Sequence, residues 1–221
     1  MRNLRRLLII LVLLFGVFVT VDRLAVRFAE GQAATKIQSS RGLATKPAVT
    51  IEGFPFLTQL IGSKLDEIKV HADDVKVPQS KVQLATLDAD LTGVKVSSDY
   101  SSAVADHATG RVMITYESLT AALPNGTTVA YGGTPGKVKV STNLAGHTLS
   151  GTADISVVGG DSIRLDHLSG TGDPLLDFAA SQFAPSVPVA GLPSGLQLSS
   201  IEVDDRGIFV DASGDNVSLN G

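Results

Sequence analysis

The sequence predicts an α+β protein that is mainly β, a curved antiparallel sheet folded against one long helix. Three observations carry this. A basic head and an unbroken apolar run over residues 7–21, LLIILVLLFGVFVTV, pass without a proline into residues 21–40, whose apolar positions follow a helical period. Almost everything beyond residue 46 reads as short β segments parted by Gly, Pro and Asn. The alternation within the longest of these segments changes phase, which implies β-bulges and therefore bent, twisted strands.

Taken in order, residues 21–40 place Val26, Ala29, Ala33 and Ile37 on one helical face, with Leu24 and Phe28 nearly opposite. A helix apolar on two sides is covered on two sides; a helix under a sheet with two stray surface residues is the plainer alternative. Gly42 closes it as a C′ residue. Residues 54–62, FPFLTQLIG, set Pro55 at the first position of a short helical turn bearing Phe56, Leu57, Leu60 and Ile61, which Gly62 ends. A loop plugging the core is the alternative.

From residue 63 to 98 the period is two, with breaks: Ile68, Val70 and Ala72 share a face, as do Val82 and Leu84. Leu87, Ala89 and Leu91 take the other parity, and Val94 and Val96 switch back. Pro78, Gln79 and Ser80 make the turn. Residues 99–110 are polar and predict a loop, 112–116 a strand, and 117–123 a short helix stopped by Pro124, with Asn125-Gly126 a tight turn. Strands over 128–131, 137–144, 148–158 and 162–168 predict an antiparallel meander. Asp173 and Pro174 open a second helix through Phe183, which residues 185–188 end. A hairpin of 196–203 and 208–211, turned by 204–207, closes the chain. With no repeat and no low-complexity linker, residues 23–221 form a single domain behind a leader of residues 1–22.

The chain has 221 residues, 43% hydrophobic and 18% charged, with 22 Gly and 9 Pro, a globular and turn-rich composition. Its formal charge is −4; without Arg2, Arg5, Arg6, Arg23 and Asp22, 14 basic residues face 21 acidic ones. A domain that acidic is unsuited to nucleic acid, whose affinity comes from basic groups, and to polybasic docking on anionic lipid. Any lipid contact is therefore mainly apolar. The absence of cysteine excludes disulfides, thiolate metal sites, a Cys nucleophile and a lipoprotein anchor.

The basic head and apolar run make a signal anchor or a signal peptide. Fifteen residues fall short of the ~20 that span a bilayer, which favours cleavage. Against it, the first small-x-small site, Ala29-Glu30-Gly31, lies beyond Asp22, Arg23 and Arg27. The uncleaved anchor is preferred. Either way the head stays in the cytoplasm and the domain is extracytoplasmic, anchored in the cytoplasmic membrane or secreted.

No chemistry emerges. His71, His107, His147 and His167 are scattered, without the paired spacing of a zinc site. His167 lies near Asp161, Asp166 and Asp173, yet no nucleophile motif accompanies it. Asp73-Asp74, Asp88/Asp90 and Asp204-Asp205 read as solvated or turn acids, and residues 211–216 only approach a calcium loop. The glycines of 132–136 make a turn. The expectation is a non-enzyme without metal or cofactor. A curved sheet crossed by helices can instead enclose an apolar groove of the kind that holds lipid.

Three stretches together resemble a known family: the leader running into DRLAVRFAEGQAATKIQSS, the segment IEGFPFLTQLIGSKLDEIKV over residues 51–70, and the closing sheet preceded by DPLLDF. They are similar to the LmeA-like phospholipid-binding proteins of actinobacterial cell envelopes, over most of the chain from residue 21. The resemblance implies an extracytoplasmic phospholipid-binding protein. It also implies a fold like tubular lipid-binding domains, a highly curved antiparallel sheet wrapped around a long helix. One member of that family is tied to elongation of the mannan chains of envelope lipoglycans. No residue motif comes with the resemblance. On chemistry alone, Phe54, Phe56, Leu57, Leu60, Phe178 and Phe183 are the candidates to hold acyl chains, though each taken singly is equally accounted for as ordinary core. The expected partners are phospholipid, the membrane and envelope biosynthetic enzymes. The rival readings are a non-catalytic envelope scaffold with a filled interior and, further off, an envelope hydrolase or transferase.

Overall fold

A computed structural model describes residues 2–76, 81–97, 102–123, 126–144, 147–170, 186–189 and 192–219. The apolar run and the amphipathic stretch after it form one helix, α1 (Arg2–Arg41), because neither proline nor a helix-ending glycine interrupts them. Gly42, at φ 62°, ends it, and the Leu43 amide donates to the Gln38 carbonyl at 3.0 Å, the closure of a Schellman motif.

Beyond it lie β1 (Ala48–Glu52), α2 (Phe56–Ile61), β2 (Lys64–Lys76), β3 (Gln83–Val96), β4 (Ala103–Ile114) and α3 (Tyr116–Ala122). Then come β5 (Thr127–Tyr131), β6 (Lys137–Leu144), β7 (His147–Val158), β8 (Ser162–Ser169), β9 (Ser186–Pro188), β10 (Leu196–Val203) and β11 (Ile208–Ser218). Among the described residues all pairings are antiparallel, in two sheets ordered β1-β2-β3-β4-β11-β10 and β5-β6-β7-β8-β9. The mainly β architecture with curved antiparallel sheets and one long N-terminal helix is the one expected, and the second sheet is the expected meander.

The curvature has a legible cause. In β2 the inward residues run from Leu65 to Ile68, in β3 from Val94 to Leu91, and in β4 from Ala105 to Ala108. In each, two residues rather than one lie between successive inward positions, yet all of them share one hydrophobic cluster with Val217 of β11. The register is unchanged across the switch. One of the two intervening levels is a transverse row of Asp66, Gly93, Asp106 and Asn216, with Gly93 at φ 61° and Asn216 at φ 52°. The strands thus reverse their alternation in step, and the sheet creases rather than slipping. Outside the crease, Asp106 receives Lys95 at 2.6 Å and Lys64 at 3.1 Å. A second switch lies at Asp74, φ 54°, between inward Ala72 and Val75.

Two packed clusters result. One joins Val26 of α1, Ile51 of β1 and Phe56 of α2 to the creased part of the first sheet. The other joins Leu198, Val203, Ile208 and Val210 of the first sheet to Val138 and Ala153 of the second.

Three expectations need correcting, and one edge strand adds to them. Residues 103–110 are strand, not loop. Their inward residues are Ala105, Ala108 and Gly110, too small to register as a hydrophobic alternation, and the crease at Asp106 breaks the period. β11 runs on to Ser218 rather than stopping at residue 211, because Val217 resumes the inward face past Asn216. Residues 186–188 form an edge strand on β8. Pro55 is the N-cap of α2 rather than its first residue. The turn at 78–80, Asn125 and the helix expected over 173–183 lie outside the described residues.

A candidate lipid-facing site where the long helix meets the sheet

Residues 4–21 of α1 touch little of the rest of the protein. Large apolar side chains from Leu4 to Val21 are exposed along this half, and only 6% of the helix's most apolar window is buried. Eighteen residues at 1.5 Å each reach about 27 Å, close to the ~30 Å hydrocarbon thickness of a bilayer. A groove of about 570 Å³ along this stretch, lined by Leu4, Arg5, Leu8, Ile9, Val12 and Leu13, is the flank of that bare helix.

The next residue changes everything. Asp22 is fully buried, the one buried charged residue among the described residues. One carboxylate oxygen accepts the Leu57 amide at 2.9 Å and the other accepts the Arg23 guanidinium at 2.6 Å. Short helices leave their first amides unpaired. Pro55 has no side-chain oxygen with which to cap α2, so an acid from another helix does it. Burial is the largest single influence on this carboxyl and works against its charge. The Leu57 amide, Arg23 and the Phe56 amide together outweigh it and hold it below the usual carboxylate range. Two turns on, Glu30 accepts the Ile51 amide at 2.9 Å, pairing a group on the free edge of β1. The two acids pin β1 and α2 to α1.

The segment so held has two faces. Phe56 is 2% exposed and sits in the core, with Leu57 half-buried against it. Phe54, Leu60 and Ile61 turn outward, Phe54 at 51% exposed and Ile61 at 85%. The Phe54 ring lies edge-on to Phe18 of the bare half, centroids 6.4 Å apart, beneath the Arg23 guanidinium at 5.3 Å. Arg23 also donates to the Gly53 carbonyl at 3.2 Å. On α1 itself Leu24 and Phe28 remain exposed. The structure therefore brings Phe54, Phe56, Leu57 and Leu60 into one short stretch but divides them between core and surface. Phe178 and Phe183 lie outside the described residues.

Matching the matter to a family, a family model described as LmeA-like phospholipid-binding matches residues 20–213. The chain belongs to the LmeA-like phospholipid-binding family. The match starts two residues before Asp22 and so takes in the whole α1–α2 junction, while most of the bare run precedes it. No curated protein matches the chain, and no solved structure does.

Elsewhere on this LmeA-like domain, a shallow concavity of about 270 Å³ opens on the outer face of the first sheet among Asp88, Asp90, Thr109, Arg111, Asp211 and Ser213. Asp88 of this lining pairs with His71 at 2.6 Å, and Arg111 with Glu202 and Asp211. Asp88 holds the His71 ring above its ordinary pKa. Among the described residues no group of three or more His, Cys, Asp or Glu is placed to hold a metal. Asp166 accepts the Ser156 hydroxyl at 2.9 Å, and the side chain of His167 lies outside the described residues.

Sequence reasoning missed the roles of Asp22 and Glu30. The signal was there, two acids eight residues apart on the face that carries Val26 and Ala29. What hid it was the position of Asp22, directly after an apolar run, where a charge reads as the end of a leader.

Proposed function

We propose that this is a membrane-tethered, extracytoplasmic phospholipid-binding protein that sequesters or carries acyl chains and supports the assembly of envelope lipid or lipoglycan. The single observation that carries this reading is the family match over residues 20–213. The bare apolar half of α1, with Arg2, Arg5 and Arg6 at its start, supports the tether and its orientation. Phe54 and Leu60 are the acyl-chain contacts we favour, with Phe56 and Leu57 as the packed floor beneath them and Phe178 and Phe183 as further contacts. We take residues 1–22 as the anchor, uncleaved, and residues 23–221 as a single domain, and we read the protein as non-catalytic.

The test is to extract the full-length protein from membranes in mild detergent and record native mass spectra with lipid analysis. Co-purifying phospholipid, displaced by added phospholipid, is the expected result. A lipid-free protein that neither retains nor takes up phospholipid would defeat the reading. A scaffold role is the second reading, favoured by the burial of Phe56 in the first hydrophobic cluster with Leu57 half-buried against it. Envelope synthases co-purifying with a lipid-free protein would support it.

A further inference from the structure

We propose that the outward tip of α2, Leu60 and Ile61 with Phe54 beside it, docks in the outer leaflet of the same bilayer that α1 crosses. This rests on the tethered reading above and adds where the domain meets lipid. The patch is unusual for a surface turned to water. Ile61 is 85% exposed on a helix whose other side, at Phe56, is core, and Phe54 stands exposed next to it. Clusters of this kind mark contact with protein or membrane.

Its level relative to the bilayer follows from two contacts. Asp22, which accepts the Leu57 amide, comes directly after Val21, the last residue of the bare run. Phe18, within that run, meets the Phe54 ring. The N-terminal end of α2 therefore sits within about one helical turn, ~5 Å, of the level at which the apolar run ends, and its six residues reach only about 9 Å from there to Ile61. The apolar surface continues from Phe18 to Phe54 without a polar gap. Arg23 covers the outer side of Phe54 and donates to the Gly53 carbonyl, the arrangement of a side chain with its stem in an apolar layer and its head in water.

Rigidity completes the argument. α1 is one helix from Arg2 to Arg41, and Asp22 and Glu30 fasten α2 and β1 to it. With no linker to let the domain lift away, the tip is presented to the leaflet permanently, at high effective concentration. The domain's net negative charge denies it an electrostatic hold on anionic head groups, so apolar insertion has to supply the contact.

The chain has no tryptophan, so one can be introduced as the sole reporter. Full-length protein carrying Ile61→Trp, and separately Thr148→Trp on the exposed side of β7 in the second sheet, is reconstituted in phosphatidylcholine vesicles. Docking predicts a blue-shifted Ile61→Trp emission, quenched several-fold more strongly by brominated acyl chains than that of Thr148→Trp, and shielded from aqueous iodide. Iodide quenching equal at both positions, with no effect of brominated lipid, overturns the docking. An alkaline carbonate wash separates the two claims. Protein released by it defeats the tether and the docking together, whereas retained protein with a water-exposed Ile61→Trp defeats the docking alone.

Discussion

Asp22 joins two elements with one carboxylate, and its chemistry can be tested alone. Replacing it with Ala leaves the Leu57 amide buried without an acceptor, and with Asn weakens a charge-assisted bond. Both variants should lower the melting temperature by several degrees, Ala more than Asn, and speed hydrogen exchange at Phe56 and Leu57 before the rest of the sheet. Because the folded carboxyl lies below its ordinary value, its contribution is present above about pH 3.9 and is lost as pH falls through the folded pKa. His71 has the opposite sign. Asp88 raises its pKa, so its contribution is complete below about pH 6.5 and fades as pH rises through the folded value. The ring is nearly half exposed, so water screens that contribution. An NMR titration should place His71 above its ordinary midpoint, and Asp88→Asn should lower that midpoint while Asp73, 3.4 Å from the other ring nitrogen, still raises it. A His71 midpoint unchanged by Asp88→Asn would remove that ion pair from the account.

At the scale of elements, α2 divides its tasks between residues five apart. Phe56→Ala opens a cavity against Val26, Leu65 and Val94 and should cost about 3–5 kcal/mol in chemical denaturation. Ile61→Ser should stay within about 0.5 kcal/mol, as surface changes do, while weakening attachment of the tip to lipid. The crease has its own test in Gly93. At φ 61° a side chain is strained, and an added Cβ meets the Cβ of Asp106 at 2.9 Å. Gly93→Ala should destabilise by more than about 1 kcal/mol. A neutral result would mean that the row Asp66, Gly93, Asp106 and Asn216 is not what bends the sheet. The phase change between Leu91 and Val94 was legible in the sequence, because alternation is a local property. That other strands switch at the same level was not, since the register joining Gly93 to Asp106 and Asn216 is set by long-range pairing. In β4 even the local signal is faint, because Ala105 and Ala108 differ little in hydrophobicity from a loop. The faces of α2 were equally hidden: FPFLTQLI states that five large apolar side chains are present, while only the tertiary contacts decide that Phe56 goes in and Ile61 stays out.

At the scale of the whole molecule, the bare apolar run and the domain share one helix, and this decides what proteolysis at the small-residue site after Gly31 would do. A chain beginning at Gln32 keeps Ala34 but loses Asp22, Val26, Ala29 and Glu30, and with them the α2 cap, the partner of Ile51 at the β1 edge and one side of the first core cluster. Phe56 and Ile51 would then face water on the side that α1 now covers. Burying such side chains is worth about 1.5–3 kcal/mol each, a large part of the 5–15 kcal/mol that holds a domain folded. Cleavage there would therefore unfold the α1–α2 junction rather than release a soluble carrier. The expected intact mass of protein isolated from membranes is that of a chain with α1 whole. Protein made without residues 1–31 is expected to expose its core to hydrophobic dye, to lose protection at Leu57 and to fail in taking up phospholipid. A folded domain starting at Gln32 that binds phospholipid as well as the whole chain would show that the junction with α1 is dispensable for lipid binding.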